Sequence, residues 1–250
     1  MTLRCATWLA PGLPIGLFEF VSSEIARALG TEATVASFTA SSGPDPDDDP
    51  FARDEFDIGF VCAPSYRRLS TKSPASVQLV PAAAVFSDER NEGKPVYFVE
   101  LVARDELAVA SLADLARRRV GFNDHQSLSG LQAFERQVEA RGLDASSFAM
   151  VHTGGHQNSI AMLEAGRIDA ASIDSNTLIA MGGLPDGLRV LETWGPFPIQ
   201  PVVARASLLD TTLGIMASSL LALDQDSETA RALRRFRVER FAPVSDADYR

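Results

Sequence analysis

Two short segments of this chain combine hydroxyl, glycine and imidazole groups where a strand gives way to a helix. The first is Ser127-Leu128-Ser129-Gly130 and the second is Thr153-Gly154-Gly155-His156. A helix start presents backbone N–H groups without partners and a partial positive charge, so such junctions suit an anion. The three histidines of the chain, His125, His152 and His156, lie in or beside these segments. The chemistry they point to is a polar, donor-rich patch that holds a small anionic or zwitterionic molecule without needing a lysine or arginine.

Each residue also has a plainer reading. Ser127 and Ser129 can donate hydroxyls to a ligand or simply cap a helix, a role serine favours. His156 at a helix start is a donor or a structural histidine. Tyr66 can stack or donate, or be a buried structural ring. Asp174 can hold a ligand cation or cap the turn that follows it. A Ser129–His156 pair is a conceivable nucleophile and base, but no G-x-S-x-G, H-E-x-x-H or P-loop pattern accompanies it. A metal site is not expected. His152 and His156 have helical spacing, but Gly154 and Gly155 between them argue against a helix there.

Composition narrows the classes. A chain of 250 residues with 46% hydrophobic content makes one large domain or two lobes. A net charge of −10 argues against a nucleic-acid partner, since phosphate contacts need a basic face. No run of about 18 apolar residues is present, so no membrane insertion is expected. The N-terminus carries Pro11, Pro14 and Glu19 and lacks a signal peptide's continuous apolar core. The expectation is a cytoplasmic protein as written, or a periplasmic or extracellular one if an export signal is missing. Cys5 and Cys62 read as buried free thiols, with a disulfide between them as the alternative. No cofactor is expected.

The elements around these segments alternate between strand and helix, which predicts an α/β fold with largely parallel sheets. No internal repeat is visible in the sequence. Strands are expected at Leu3–Trp8, Ala33–Phe38, Asp57–Val61, Val77–Phe86, Val96–Ala103, Val120–Phe122, Phe148–His152 and Ile168–Ile173. Phe18, Val21, Ile25 and Leu29 recur at helical spacing before Gly30, as do Leu131, Phe134 and Val138 before Gly142. Ile160 and Leu163 face inward on a helix that stops at Gly166. Ser41–Pro50, with four aspartates and three prolines, reads as a solvated loop whose spacing does not match a calcium loop. Cys62–Tyr66 reads as a turn at the carboxyl end of a strand, the edge where ligands gather in open α/β sheets. Ser111 and Asp114 carry a capping-box spacing before a short helix. Two helices are expected to close the chain, the last around Ser227–Arg237.

At these residues the sequence resembles the phosphonate-binding family of ABC-transporter substrate-binding proteins. Four stretches carry the resemblance, in order along nearly the whole chain: DIGFV…PSYRRL (Asp57–Leu69), SLADLARRRVGFNDHQSLSG (Ser111–Gly130), HTGGHQNSIAMLEAGRIDAASIDS (His152–Ser175) and FAPVSDADY (Phe241–Tyr249). The chain departs from the family pattern at Leu128, where threonine is usual, and at Arg117-Arg118-Arg119, where Gly-Lys-Arg is usual. A recognisable export signal or lipidation cysteine is also missing.

The resemblance implies a type 2 periplasmic-binding-protein clamshell, each lobe a mixed, mainly parallel sheet flanked by helices. One lobe would hold residues 1–102 plus 199–250 and the other 103–198. Two hinge crossings would join them, with the ligand between them. It further implies that Ser127, Leu128, Ser129 and His156 grip the anion, that Tyr66 lines the site and that Asp174 meets an aminoalkyl tail. His125, Thr153 and Asn176 would stand close by. His156 is expected to bind the anion better when protonated, with proton uptake near pH 6–7. The function implied is binding of a phosphonate, phosphate ester or sulfonate-like solute, with an ABC-transporter permease as a possible partner. The alternatives are a cytoplasmic enzyme on the same fold, performing elimination or cofactor-precursor chemistry, and a sensory ligand-binding subunit.

Overall fold

The computed structural model describes residues 2–10, 12–39 and 42–250. Met1, Pro11 of the N-terminal reading and Ser41 at the head of the expected loop lie outside the described residues. The chain forms two units, one built on the residues up to Phe38, Ser42–Val96 and Pro198–Arg250, the other on Tyr97–Phe197.

Unit 1 begins with strand β1 (Thr2–Thr7) and helix α1 (Ile15–Ala28). Leu17, Phe18, Val21 and Ile25 of α1 fall on one face and are buried. Burying each such side chain contributes roughly 1.5–3 kcal/mol, which is what seats the helix on its sheet. The helix ends at Gly30, which takes φ +69°, a conformation glycine adopts without steric cost. Strand β2 (Glu32–Ser37) then pairs parallel to β1, and β3 (Ile58–Phe60) pairs parallel on its other side. Strand β11 (Val202–Arg205) lies antiparallel between β3 and β4 (Val77–Leu79), giving the order β2-β1-β3-β11-β4. Strands β5 (Ala82–Phe86) and β12 (Val238–Pro243) form a separate antiparallel pair.

Unit 2 repeats this plan. Strand β7 (Arg119–Phe122) pairs parallel with β8 (Ala149–His152) on one side and β9 (Ala170–Asp174) on the other. Strand β6 (Val96–Arg104) runs antiparallel to β9, and β10 (Leu188–Pro198) follows, in the order β10-β6-β9-β7-β8. Helices α3 (Ala133–Ala140), α4 (His156–Glu164) and α5 (Ser175–Ala180) follow β7, β8 and β9. Ile160 and Leu163 of α4 pack with Val102, Ile168, Ala171, Ile173 and Leu178 into one buried cluster.

Several local expectations are corrected. The run Val77–Phe86 is not one strand. Pro81 has no N–H to give a ladder, and the chain divides there into β4 and β5, which enter different sheets. Cys62–Tyr66 is not a turn but the opening of helix α2 (Ala63–Ser70), with Pro64 in the first turn, where its missing N–H costs nothing. Helices α6 (Asp210–Leu221) and α7 (Ser227–Arg235) do not close the chain, since β12 and a 3-10 turn at Asp246–Tyr249 come after them. The long strand β10 and the short β11 were not read from the sequence. Ser111 and Asp114 do form a capping box, around a 3-10 turn at Leu112–Leu115.

Cys5 and Cys62 are both buried, and no disulfide joins them. The register sets Cys5 opposite Ile58. Cys62 lies four residues further on, roughly 13 Å of extended chain, well beyond the reach of a disulfide. Burial pushes the Cys5 thiol up to about 11. In the aspartate-rich loop the carboxylates serve the chain itself. Asp45 accepts from the Asp47 N–H at 2.9 Å, and Asp49 accepts from the Phe51 N–H at 3.1 Å and from Lys72 at 3.0 Å. Among the described residues no group of three or more His, Cys, Asp or Glu is placed to hold a metal ion, and no helix is long and apolar enough to cross a membrane.

Candidate functional site

Strand β7 ends at Phe122 because the next residues turn on their own side chains. Asp124 Oδ1 accepts from the Gln126 N–H at 2.8 Å, and Oδ2 accepts from Asn123 Nδ2 at 3.0 Å. An Asx turn of this kind reverses the chain cheaply. Ser127 then caps the helical segment, its Oγ accepting from the Gly130 N–H at 3.0 Å. The segment opens as a π-turn, Leu128–Gln132, before α3 proper. Such wide turns often sit at functional sites because they re-aim side chains. Gly130 is required for close approach: a Cβ there would fall 1.6 Å from Asn123 Oδ1.

The second junction is tied to the first. Thr153, just past β8, donates its Oγ1–H to the Phe122 carbonyl at 3.0 Å and lies 2.6 Å from Ser159 Oγ. The chain then passes Gly154, at φ +80°, and starts α4 at His156. This places His156 Nε2 2.9 Å from Ser129 Oγ, with Ser127 Oγ 3.5 Å from Ser129 Oγ. Ser127, Ser129 and His156 are 1%, 3% and 6% exposed, so the three polar groups are buried together.

Burial pushes the His156 imidazole down to about 4, with a hydrogen bond to the Ser172 backbone opposing it. His156 is therefore neutral at pH 7. The expected proton uptake near pH 6–7 loses its basis, and a neutral imidazole N–H is the donor available. Its Nδ1 is buried without a hydrogen bond of good geometry. No carboxylate among the described residues orients this ring, so the Ser129–His156 pair lacks the third member of a hydrolytic triad.

The other sequence-selected residues are distributed around this cluster. Leu128 is buried between the two serines. Asp174 ends β9, is buried, and caps α5 by accepting from the Asn176 N–H at 2.8 Å. Asn176 is fully buried, and neither atom of its side-chain amide has a hydrogen-bond partner. His125 and His152 are exposed and stack on one another at 5.7 Å, each also touching the ring of Phe122. Thr153 is engaged in holding the two junctions. Tyr66 belongs to unit 1, on α2. It is buried, its hydroxyl donates to Asp246 Oδ1 at 2.6 Å, and its ring meets Tyr249 edge-on at 5.5 Å. Burial and the Asp246 carboxylate both raise its pKa.

Sequence reasoning did not select Asn123 and Asp124, nor the close approach that requires Gly130. The signal was present in N-D-x-x-S-x-S-G, an Asx pair followed by a serine cap. It also missed two buried aspartates outside the site. Asp57 in unit 1 accepts from the Arg4 N–H at 2.9 Å and from the Arg4 guanidinium at 3.1 and 2.9 Å, with Arg205 at 3.2 Å. Asp169 in unit 2 accepts from the Arg119 N–H at 2.9 Å and from its guanidinium at 3.2 and 2.9 Å, with Arg104 at 3.2 Å.

Comparison with known proteins follows the same lines. A family model described as ABC transporter, phosphonate, periplasmic substrate-binding protein matches residues 26–249. Among solved structures, the binding-protein component of an ABC phosphonate transporter from Pseudomonas aeruginosa is similar over 99% of this chain and 83% of its own. Its TM-score is 0.80 at 16% identity. A Prochlorococcus marinus protein in complex with methylphosphonate is similar over 100% of this chain and 94% of its own, with TM-score 0.78 at 17% identity. A Xanthomonas citri protein bound to ATP is similar over 99% and 93%, with TM-score 0.73 at 14% identity. At these identities the structural likeness speaks for the fold.

Proposed function

This chain belongs to the phosphonate-binding family of ABC-transporter periplasmic substrate-binding proteins, and we propose that it captures a compact anionic or zwitterionic solute through the Ser127–Ser129–His156 cluster of unit 2. The observation that carries the reading is the meeting of two buried hydroxyls and a buried neutral imidazole at the carboxyl ends of parallel strands β7 and β8. Buried polar groups need partners. A tetrahedral or planar acid group accepting from them would supply the acceptors. Phosphonates, phosphate esters and sulfonates have that shape, and the family description and the methylphosphonate bound by the Prochlorococcus marinus relative support this class.

Binding without catalysis is the reading this site favours. An imidazole held at about 4 is a poor base at neutral pH, and no acid group orients it. The partner we propose is the permease of an ABC transporter, with the protein acting in the periplasm as the family description has it. Isothermal titration calorimetry against methylphosphonate, 2-aminoethylphosphonate, methanesulfonate, taurine and ATP tests the reading. Saturable binding of one ligand per chain by at least one of the small acids is expected. Heat from none of them, with native mass spectrometry of the purified protein showing no retained small anion, would remove it.

A further inference from the structure

The arginines of unit 2 gather mainly at one sheet edge, together with the acids Asp105, Glu106, Asp169 and Asp186. Strands β7, β8 and β9 are parallel, so their amino ends share one edge and their carboxyl ends the other. Arg119 starts β7 and clamps Asp169, which immediately precedes β9. Arg104, at the end of antiparallel β6, reaches the same aspartate. Arg117 and Arg118 lie in the turn before β7, and Arg167 in the turn before β9. Arg189 opens β10 beside them and donates to the carbonyls of Leu107 and Val109. The remaining arginines, Arg136 and Arg141, are exposed on the outer part of α3 and just beyond it, Arg141 paired with Glu192. Unit 2 has no lysine between Tyr97 and Phe197.

The carboxyl edge, where Ser127, Ser129 and His156 meet, carries acids without those arginines. Asp124 and Asp174 are both buried there, at 5% exposure each. Glu100, on β6 in register with Ile173 of β9, is a third buried carboxylate and accepts from Thr193. Glu135 and Glu139 on α3 are exposed, whereas Glu164, at the far end of α4, belongs to the amino edge beside Arg104. His125 and His152 are exposed at the rim, and His156 is neutral at pH 7. The edge therefore offers hydroxyl and N–H dipoles to an acid group but no fixed cation from its own unit. Each added negative charge on a ligand meets the fields of carboxylates that low local dielectric screens weakly.

We infer that this site takes the acid group of its ligand as a monoanion and discriminates against the dianion. The inference rests on the reading of the Ser127–Ser129–His156 cluster as the anion site and names the charge state it selects. Hydroxyl and amide donors are enough for a single negative charge. A second charge needs a cation that this edge does not carry. A cationic tail on the ligand is compatible, since Asp124 and Asp174 favour it, so zwitterions with a monoanionic head are the class that fits best.

The test is calorimetry with two tetrahedral probes across the pH range in which methylphosphonate loses its second proton. Methanesulfonate, a monoanion throughout, is the reference. If only the monoanion binds, the apparent affinity for methylphosphonate falls about tenfold per pH unit above its second ionisation, because the competent fraction falls by that factor. Methanesulfonate affinity stays flat. Asp174→Asn keeps a helix-capping side chain and removes one carboxylate, so it should shrink the pH slope without unfolding the protein. A methylphosphonate affinity that rises as the dianion forms overturns the inference and leaves the anion site standing. Absence of binding by both probes and also by 2-aminoethylphosphonate and taurine overturns the site reading and the inference together.

Discussion

In unit 1, Asp57 precedes β3 and is held by the backbone and guanidinium of Arg4 and by Arg205. In unit 2, Asp169 precedes β9 and is held in the same way by Arg119 and Arg104. The two sheets share one strand order, with β1 and β7 central to their parallel strands and β11 and β6 as the antiparallel insertions. The opposite edges of these sheets differ. After β3 stand Cys62, Ala63 and Tyr66, all buried, with the tyrosine hydroxyl given to Asp246. After β7 and β8 stand Ser127, Ser129 and His156, bonded to one another and buried. The comparison teaches that the amino edge of each sheet is a repeated structural device. At the carboxyl edge, unit 2 gathers buried hydroxyl and imidazole groups and unit 1 gathers a buried tyrosine pair.

The largest expected effect tests the repeated device. Asp57→Ala and Asp169→Ala each remove charged hydrogen bonds to arginines that stay partly exposed, Arg4 at 40% and Arg119 at 44%, which costs roughly 1.5–3 kcal/mol. Urea unfolding followed by circular dichroism should show losses of similar size for both. A large loss in one and none in the other would break the equivalence of the two clamps. The Asp169 carboxyl is held down to about 2 by Arg119 and Arg104. Its folded pKa lies below the unfolded value of about 3.9, so its contribution is full above that value and is lost as pH falls towards about 2. The acid-unfolding curve of Asp169→Asn should lack that component.

Two glycines sharpen the contrast at the other edge. A Cβ at Gly59 on β3 would sit 2.4 Å from the Phe51 ring, and one at Gly130 would sit 1.6 Å from Asn123 Oδ1. Both alanine variants should lose about 1–3 kcal/mol by overpacking. Only Gly130→Ala should also weaken ligand affinity, because it displaces the turn that aims Ser127 and Ser129. Equal affinity in the two variants would show that the π-turn does not position the site. The smallest effect concerns Arg117, which takes φ +65° where the family pattern has glycine. A side chain there costs about 1–2 kcal/mol, offset by the lower entropy of its unfolded chain. Arg117→Gly should raise the melting midpoint slightly, by up to about 1 kcal/mol of stability, and a lower midpoint would contradict the strain.

Much of this was legible from residue order. The helical spacing of Phe18, Val21 and Ile25 and the stop at Gly30 read directly as α1 because local periodicity and a local cap decide them. The two junctions were legible because serine and glycine after a strand mark a helix start, whether they cap it or meet a ligand. The neutral state of His156 was not legible in magnitude, since it depends on burial by residues distant in sequence. Strands β10, β11 and β12 were missed because their partners, β6, β3 and β5, lie far away in the chain and their own alternation is weak. The likeness of the two units left no sequence repeat. It survives in strand order and in two Asp–Arg clamps whose members stand 53 and 50 residues apart.

The central claim is that Ser129 and its neighbours, not the tyrosine of the other unit, carry the anion. Calorimetry of Ser129→Ala and Tyr66→Phe beside the native protein, with a small acid that the native protein binds, tests it most directly. Loss of a hydrogen bond to a charged group costs roughly 1.5–3 kcal/mol, so Ser129→Ala should bind at least about tenfold more weakly. Tyr66→Phe gives up bonds inside unit 1, to Asp246 and Ser70, and should bind within about twofold of native. Native affinity in Ser129→Ala, or a tenfold loss in Tyr66→Phe alone, would contradict the account.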